Sequence, residues 1–105
     1  KYSLEYLGND RPVNDPESMD IELYGNYPNP FNPATSIIFS VPASGSVNIS
    51  VYDLTGDQVA TILDQRLLSG AHTVRWNARK HPSGVYIVRI GADRYARTQK
   101  VMLLK

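Results

Sequence analysis

The stretch SVNISVYDLTGD, Ser46–Asp57, decides the fold because it contains both a strand and the turn that reverses it. Every second residue of Val47–Val51 is apolar, and a period of two is typical of a half-buried strand. Asp53–Gly56 then supplies turn formers, of which Gly56 can adopt the left-handed conformation of a bulge beside a hairpin. The stretch therefore predicts an antiparallel hairpin whose returning strand is Gln58–Leu63.

Similar runs, rich in Val, Ile, Tyr and Thr and bounded by Gly, Pro, Asn or Asp, recur on both sides of this hairpin. An alternative exists only for residues 57–68, where several apolar residues have near-helical spacing. Antiparallel strands without a crossover helix predict an all-β fold, an immunoglobulin-like antiparallel β-sandwich of about seven strands. The predicted strands are Ile21–Tyr24, Thr35–Val41, Val47–Val51, Gln58–Leu63, His72–Trp76, Val85–Ile90 and Arg94–Leu104.

The last hairpin is less regular than the first. Ala92 and Asp93 are predicted to form its two-residue loop, although neither is Gly or Asn. Arg94, Arg97 and Lys100 then place cations along the final strand, which is a common protection of a sheet edge against pairing with another chain.

Composition places the chain among ordinary globular domains. It has 105 residues, of which 42% are hydrophobic and 20% charged, and this length suits a single domain. Eleven basic and ten acidic side chains give a net charge of +1, which favours neither nucleic acid nor an anionic membrane as a partner. No cysteine is present, so the fold depends on packing rather than on disulfides.

The first residues differ from the rest in composition. Gly8–Pro16 is a run of turn formers and charges, which indicates a linker, and Tyr2–Leu7 is predicted as the last strand of a preceding domain or a docked arm. We therefore expect residues 1–19 to be the end of a preceding domain and a linker. We expect residues 20–105 to form the sandwich, a module carried at the end of a larger protein.

Side chains that could carry chemistry are scattered along the sequence. His72 and His81 have no partner at metal-ligand spacing, and neither a GxSxG serine nor a cysteine is present as a nucleophile. Asp53, Thr55 and Asp57 resemble part of a calcium loop but lack the distal ligands, so a turn is favoured. The sequence predicts neither an enzyme nor a cofactor.

Trp76 is a candidate for an exposed carbohydrate-binding platform. It alternates in phase with Val74, and Tyr86 alternates in phase with Val88 and Ile90. Both aromatic residues are therefore predicted to face the core, with the tyrosine hydroxyl bonded to a partner near the rim.

The segment NYPNPFNPATSI, Asn26–Ile37, is not explained by strand propensity. Its three prolines alternate with asparagines; each proline fixes φ, and each asparagine can satisfy a neighbouring backbone group. Phe31 is placed to plug one end of the core. We expect a rigid structural corner made of Asn29, Pro30, Phe31, Asn32 and Pro33.

This segment resembles the start of the type A C-terminal sorting domains of the type IX secretion system, found on exported proteins of Bacteroidetes and related phyla. The immunoglobulin-like domain of flagellar hook-capping proteins shares several of the motifs. The resemblance covers about residues 21–105, and further motifs that carry it are Val51–Asp57 with Val59, then Gly70, His72, Val74 and Trp76, then Pro82–Tyr86, and finally Lys100–Lys105.

The resemblance implies a non-catalytic signal that directs an upstream cargo across the outer membrane after Sec export. A sortase-like protease of the outer-membrane type IX secretion components would then remove the domain at the linker. The implied location is secreted or at the cell surface, via the periplasm, with neither a membrane span nor a nucleic-acid partner. The expected recognition residues are Gly84, Tyr86, Lys100, Val101, Leu103 and Lys105, with Gly56 and Trp76 as further structural motif residues.

Two alternatives stay open from the sequence. One is a carbohydrate-binding or cell-surface attachment module of a secreted multidomain enzyme. The other is a structural domain of an appendage, such as a hook cap.

Overall fold

A computed structural model describes residues 20–105 of the chain, and the regular elements in that range are all β-strands. The strand and linker predicted within residues 1–19 lie outside the described residues. In chain order the strands are β1 (Glu22–Tyr27), β2 (Ala34–Val41), β3 (Gly45–Tyr52), β4 (Gln58–Leu67), β5 (Gly70–Asn77), β6 (Gly84–Ala92) and β7 (Tyr95–Leu103).

The strands form two antiparallel sheets that pack as a sandwich, which confirms the predicted fold class. One sheet has the order β1-β2-β5, and the other has the order β4-β3-β6-β7. In constant-type immunoglobulin domains the fourth strand joins the sheet of the first, second and fifth strands. Here β4 pairs with β3 instead, so the sheets contain three and four strands.

The core lies between the sheets because alternate residues of the inner strands are apolar. Ile37 and Phe39 of β2 face Ile49 of β3 and Val88 of β6, and all four are completely buried. This alternation along the strands accounts for their stability without disulfides, since burial of each such side chain contributes roughly 1.5–3 kcal/mol.

β4 is a strand along its whole length, so the helical alternative for residues 57–68 is wrong. In its pairing with β3, Val59 and Ile62 are extra residues that have no partner of their own. Each such bulge shifts the phase of the side chains by one residue. Val59, Ile62 and Leu63 are therefore all half-buried, at a spacing that imitates a helix.

β1 is longer than the predicted Ile21–Tyr24. Gly25 has a φ of 116° and follows a bulge in the pairing with β2, after which the strand continues to Tyr27. The glycine that suggested the end of a strand therefore bends it instead.

The two hairpins of the four-stranded sheet differ in how well their loops were predicted. Gly56 has a φ of 93°, as predicted for the Asp53–Gly56 turn. In the last hairpin Ala92 pairs with Tyr95, so the loop is Asp93–Arg94 and not Ala92–Asp93. Asp93 has a φ of 56°, a conformation that the short polar side chain of aspartate tolerates better than alanine does.

Arg97 ties β7 to the beginning of β1. Its guanidinium lies 2.6 Å from the carboxylate of Asp20, and its Nε donates to the Ile21 carbonyl at 3.1 Å. The arginine predicted to protect the sheet edge therefore also joins the two sheets on one side of the sandwich.

The odd number of strands places residues 20 and 105 at opposite ends of the sandwich. Glu22 pairs with Ser40 near the end of β2, whereas Leu103 pairs with Gly84 at the start of β6. We call the end that contains residues 28–33, 53–57, 78–83 and 104–105 the distal end. The opposite end, which contains residues 20–21 and 93–94, is the proximal end.

Candidate functional site

The corner at residues 29–33 is bonded to the end of β7. The Phe31 N–H donates to the Met102 carbonyl at 2.9 Å, and the Leu104 N–H donates to the Phe31 carbonyl at 3.0 Å. The Asn29 side-chain oxygen accepts from the Met102 N–H at 3.1 Å. The corner therefore covers the last residues of the free edge of β7, and Asn29 satisfies a distant backbone group rather than the neighbouring one that was predicted.

Phe31 closes the distal end of the core with other aromatic rings. Its side chain is buried, and its ring centroid lies 5.6 Å from that of Trp76. Trp76 is 5% exposed and also contacts the rings of His81 and Tyr86, at 5.7 Å and 5.5 Å. The predictions that Phe31 plugs the core and that Trp76 packs inside it are confirmed.

Thr35 holds the corner to β2. It is completely buried; its hydroxyl donates to the Pro28 carbonyl at 2.8 Å and accepts from the Asn26 amide at 3.1 Å. This network fixes the position at which the chain enters the corner.

The connection between β5 and β6 reaches both the corner and the last residue. The Ala78 N–H donates to the Pro33 carbonyl at 2.8 Å. The Lys105 N–H donates to the Ser83 hydroxyl at 2.9 Å, and the Lys105 ammonium donates to the Arg79 carbonyl at 2.6 Å. Three segments that are far apart in sequence thus meet at the distal end.

The predicted recognition residues lie on or just after the adjacent strands β6 and β7, but they differ in accessibility. Val101 and Leu103 are completely buried, Tyr86 is 4% exposed and Gly84 is half-buried. Lys100 and Lys105 are exposed. A partner that binds the folded domain can therefore contact the two lysine side chains, while the buried residues shape the surface from below.

Tyr86 is held by its hydroxyl, as predicted. It donates to the Pro82 carbonyl at 2.6 Å. Burial and, to a smaller extent, the charge of Asp53 raise the pKa of this phenol. The hydroxyl therefore remains a donor across the physiological pH range.

The prediction from sequence missed the outward-facing residues of the same strands. Met102 is 37% exposed and Leu104 is 52% exposed, and both alternate with the buried Val101 and Leu103. The period-two pattern contained this signal, because neighbours of core positions point outward.

Asp53 organises the turn between β3 and β4. Its Oδ1 accepts from the Thr55 N–H at 3.0 Å, the Thr55 hydroxyl at 2.6 Å and the Asp57 N–H at 3.0 Å. These bonds, the one from the Thr55 hydroxyl first, lower the pKa of the Asp53 carboxyl. The turn interpretation of Asp53, Thr55 and Asp57 is confirmed, and residues 20–105 contain no group of acidic and histidine side chains placed to hold a metal ion.

His72 has a structural environment. Its Nε2 lies 2.7 Å from the Leu68 carbonyl, and its ring stacks on that of Phe39 at 5.7 Å. The ring is half-buried on the strand face that it shares with Val74 and Trp76, as predicted.

The corner, the β5–β6 connection and the last strand are joined by hydrogen bonds, and all three lie within the part of the chain that matches a known family. A family model described as secretion system C-terminal sorting domain matches residues 26–104, from the first residue of the NYPNPFNP segment almost to the last residue. The chain belongs to this family. The domain is thus a sorting domain of type IX secretion, as the sequence motifs had indicated. No curated protein matches the chain.

Family membership indicates the general function and location of the sorting domain. Such domains are attached to an upstream cargo protein and interact with the type IX secretion machinery. The cargo is thereby exported to the cell surface or secreted. The family is generally non-catalytic. Residues 20–105 contain no helix that is long and apolar enough to span a membrane.

Proposed function

We propose that outer-membrane components of type IX secretion bind the distal end of this sorting domain and carry the upstream cargo across the outer membrane. The observation that supports this most is the joining of three segments by hydrogen bonds. Backbone bonds join the corner to β7 and to the β5–β6 connection, and the Ser83 hydroxyl accepts from the Lys105 N–H. These segments carry the family motifs, and the fold brings them to one small surface.

Within this proposal the recognition residues have two roles. Lys100 and Lys105 contact the partner directly, because their side chains are exposed. The more buried Gly84, Tyr86, Val101 and Leu103 hold the strands in the geometry that the partner binds.

The proposal extends to the fate of the domain. Residues 1–19 are the linker and the end of the preceding domain, and residues 20–105 are the unit that is recognised. A sortase-like protease cleaves between Gly8 and Met19 after passage through the periplasm, and the cargo is then secreted or attached at the cell surface.

The carbohydrate-binding alternative loses the side chain on which it depended. Trp76 is 5% exposed and packs between Phe31 and Tyr86, so its ring cannot stack on a sugar. The appendage alternative has no specific support from the contacts described above.

The test is a fusion of the full chain behind a Sec-exported reporter, in a bacterium that has type IX secretion and in a matched strain that lacks it. We expect the reporter in the medium or on the surface of the first strain only. The released reporter should have a mass consistent with cleavage within residues 8–19. Periplasmic retention of a folded fusion in both strains would contradict the proposed function.

A further inference from the structure

The outer face of the four-stranded sheet carries apolar side chains at its distal end. Tyr52 of β3 pairs with Ile87 of β6, and Val85 of β6 pairs with Met102 of β7. These residues alternate with core residues such as Tyr86 and therefore point away from the core. Each of them is partly exposed.

The next positions along the same face, towards the proximal end, are different. Ser50 pairs with Arg89, and Arg89 pairs with Thr98; beyond them Asn48 pairs with Gly91, and Gly91 pairs with Ala96. These residues are polar, charged or small, and Ser50 is buried. A solvated face of an antiparallel sheet is usually polar throughout, and an exposed apolar patch commonly marks a binding surface. Core packing gives no reason for the apolar residues at the distal half.

Lys100 brings a positive charge into this apolar area. It pairs with Ile87 on the outer face, next to Met102 along the alternation of β7. A second copy of the chain bound through a twofold axis would bring the same patch and hence a second Lys100 to the interface, where like charges repel. A different protein that places a carboxylate opposite Lys100 fits the patch better.

We propose that these residues form the surface by which a protein of the export machinery holds the sorting domain. We call it the distal patch, and it consists of Tyr52, Val85, Ile87, Lys100 and Met102. The partner offers an apolar surface with a carboxylate facing Lys100. This inference rests on the proposed function and identifies the side chains that the partner contacts.

The first test replaces apolar patch residues in the full-chain reporter fusion. Ile87→Thr keeps a β-branched residue, and Met102→Thr introduces a residue that strands accept well. Both substitutions remove apolar contact area. The matched control is Ile38→Thr, because Ile38 is an exposed isoleucine of β2 on the other sheet. We expect the two patch variants to reduce the exported fraction about tenfold, as truncation of a central interface residue does, and the control to leave it unchanged.

The second test concerns the charge. Lys100→Glu should reduce export more than Lys100→Gln does, because reversal places two carboxylates together. Arg75→Glu is the matched control, since Arg75 is an exposed cation on β5 of the other sheet. Thermal unfolding of each purified fusion identifies variants that remain folded, and Met102→Gln replaces Ile87→Thr if the latter loses its cooperative transition.

The outcomes separate the two proposals. If the unmodified fusion stays in the periplasm, the proposed function is wrong. If it is exported and all folded patch variants are exported equally well, export by the sorting domain stands, whereas the distal patch and the direct contact proposed for Lys100 are wrong. A fusion that is dimeric in sedimentation, becomes monomeric with Ile87→Thr and is exported normally would assign the patch to self-association and overturn the inference.

Discussion

At the turn between β3 and β4, one carboxylate oxygen replaces several backbone contacts. Asp53 accepts hydrogen bonds from the N–H groups of Thr55 and Asp57 and from the Thr55 hydroxyl. Such a side chain satisfies donors that a tight turn leaves without backbone partners. Aspartate at this position therefore has a structural purpose, although its motif resembles part of a calcium loop.

The lowered pKa of Asp53 gives a prediction about acid stability. Because the carboxyl has a lower pKa in the folded chain than in the unfolded one, it stabilises the fold above the unfolded value of about 3.9. This contribution is lost as the pH falls through the folded pKa. Urea unfolding at pH 6 and in acid should show a smaller loss of stability for Asp53→Asn than for the original chain.

Asp53→Asn is a suitable comparison because the amide keeps an oxygen acceptor for the turn but does not titrate. Equal losses of stability in the two proteins on acidification would contradict the assignment. Thr55→Val should weaken the same effect, since it removes the hydroxyl that contributes most to the lowered pKa.

At the scale of the elements, the corner and β7 form a unit that residue patterns did not predict. The sequence indicated a corner at residues 29–33 and a buried Phe31, and the structure has this corner and buries Phe31. It did not indicate that Phe31 and Leu103 form a parallel bridge, because local patterns carry no information on a contact across some seventy positions.

The bond between Asn29 and β7 predicts a local change in hydrogen exchange. Asn29→Ala removes the acceptor of the Met102 N–H, so exchange of this amide should become faster, while amides of the inner strand β3 should keep their protection. The measurement is amide exchange by nuclear magnetic resonance on the folded chain.

The control is Asn32→Ala, which changes an exposed asparagine of the same corner. Acceleration at Met102 by both variants would indicate general loosening of the corner instead of loss of one bond. Unchanged exchange at Met102 in Asn29→Ala would contradict the contact itself.

The strands were predicted more reliably than their irregularities. β2, β3, β5 and β6 lie close to the predicted bounds, since their apolar alternation is uninterrupted. Errors occurred where a bulge or a left-handed residue changed the pattern, as at Gly25 in β1 and at Asp93 before β7. Bulges depend on the register between two strands, which a single strand sequence does not contain.

At the scale of the whole molecule, the number of strands and the two hairpins β3–β4 and β6–β7 were predicted. The pairing of strands that are distant in sequence, β2 with β5 and β3 with β6, was not predicted, because it depends on packing across the sandwich. The predicted recognition residues lie on or just after the adjacent strands β6 and β7. Their accessibility followed only from the sheet order, which buries Val101 and Leu103 and exposes Met102.

Because residues 20 and 105 lie at opposite ends, we predict that export depends on whether a folded protein is attached before residue 1 or after Lys105. A folded protein joined directly after Lys105 would lie beside Ser83 and Arg79, at the distal end. We expect it to reduce export strongly by obstructing this surface. The same protein joined before residue 1 should have no such effect.

Measurement of reporter export from both fusions checks this prediction, with thermal unfolding as the test that each domain remains folded. Equal export from both arrangements would contradict binding at the distal end.

The opposite placement of residues 20 and 105 also determines how the domain bears mechanical load. β1 and β7 run in the same direction, and the cargo side of the chain enters at the start of β1. A pull applied at the distal patch against a trailing cargo is therefore directed along the strands. Such a force loads the β1–β2 hydrogen bonds together, in shear, instead of breaking them one after another. The domain is therefore expected to stay folded while its cargo is pulled.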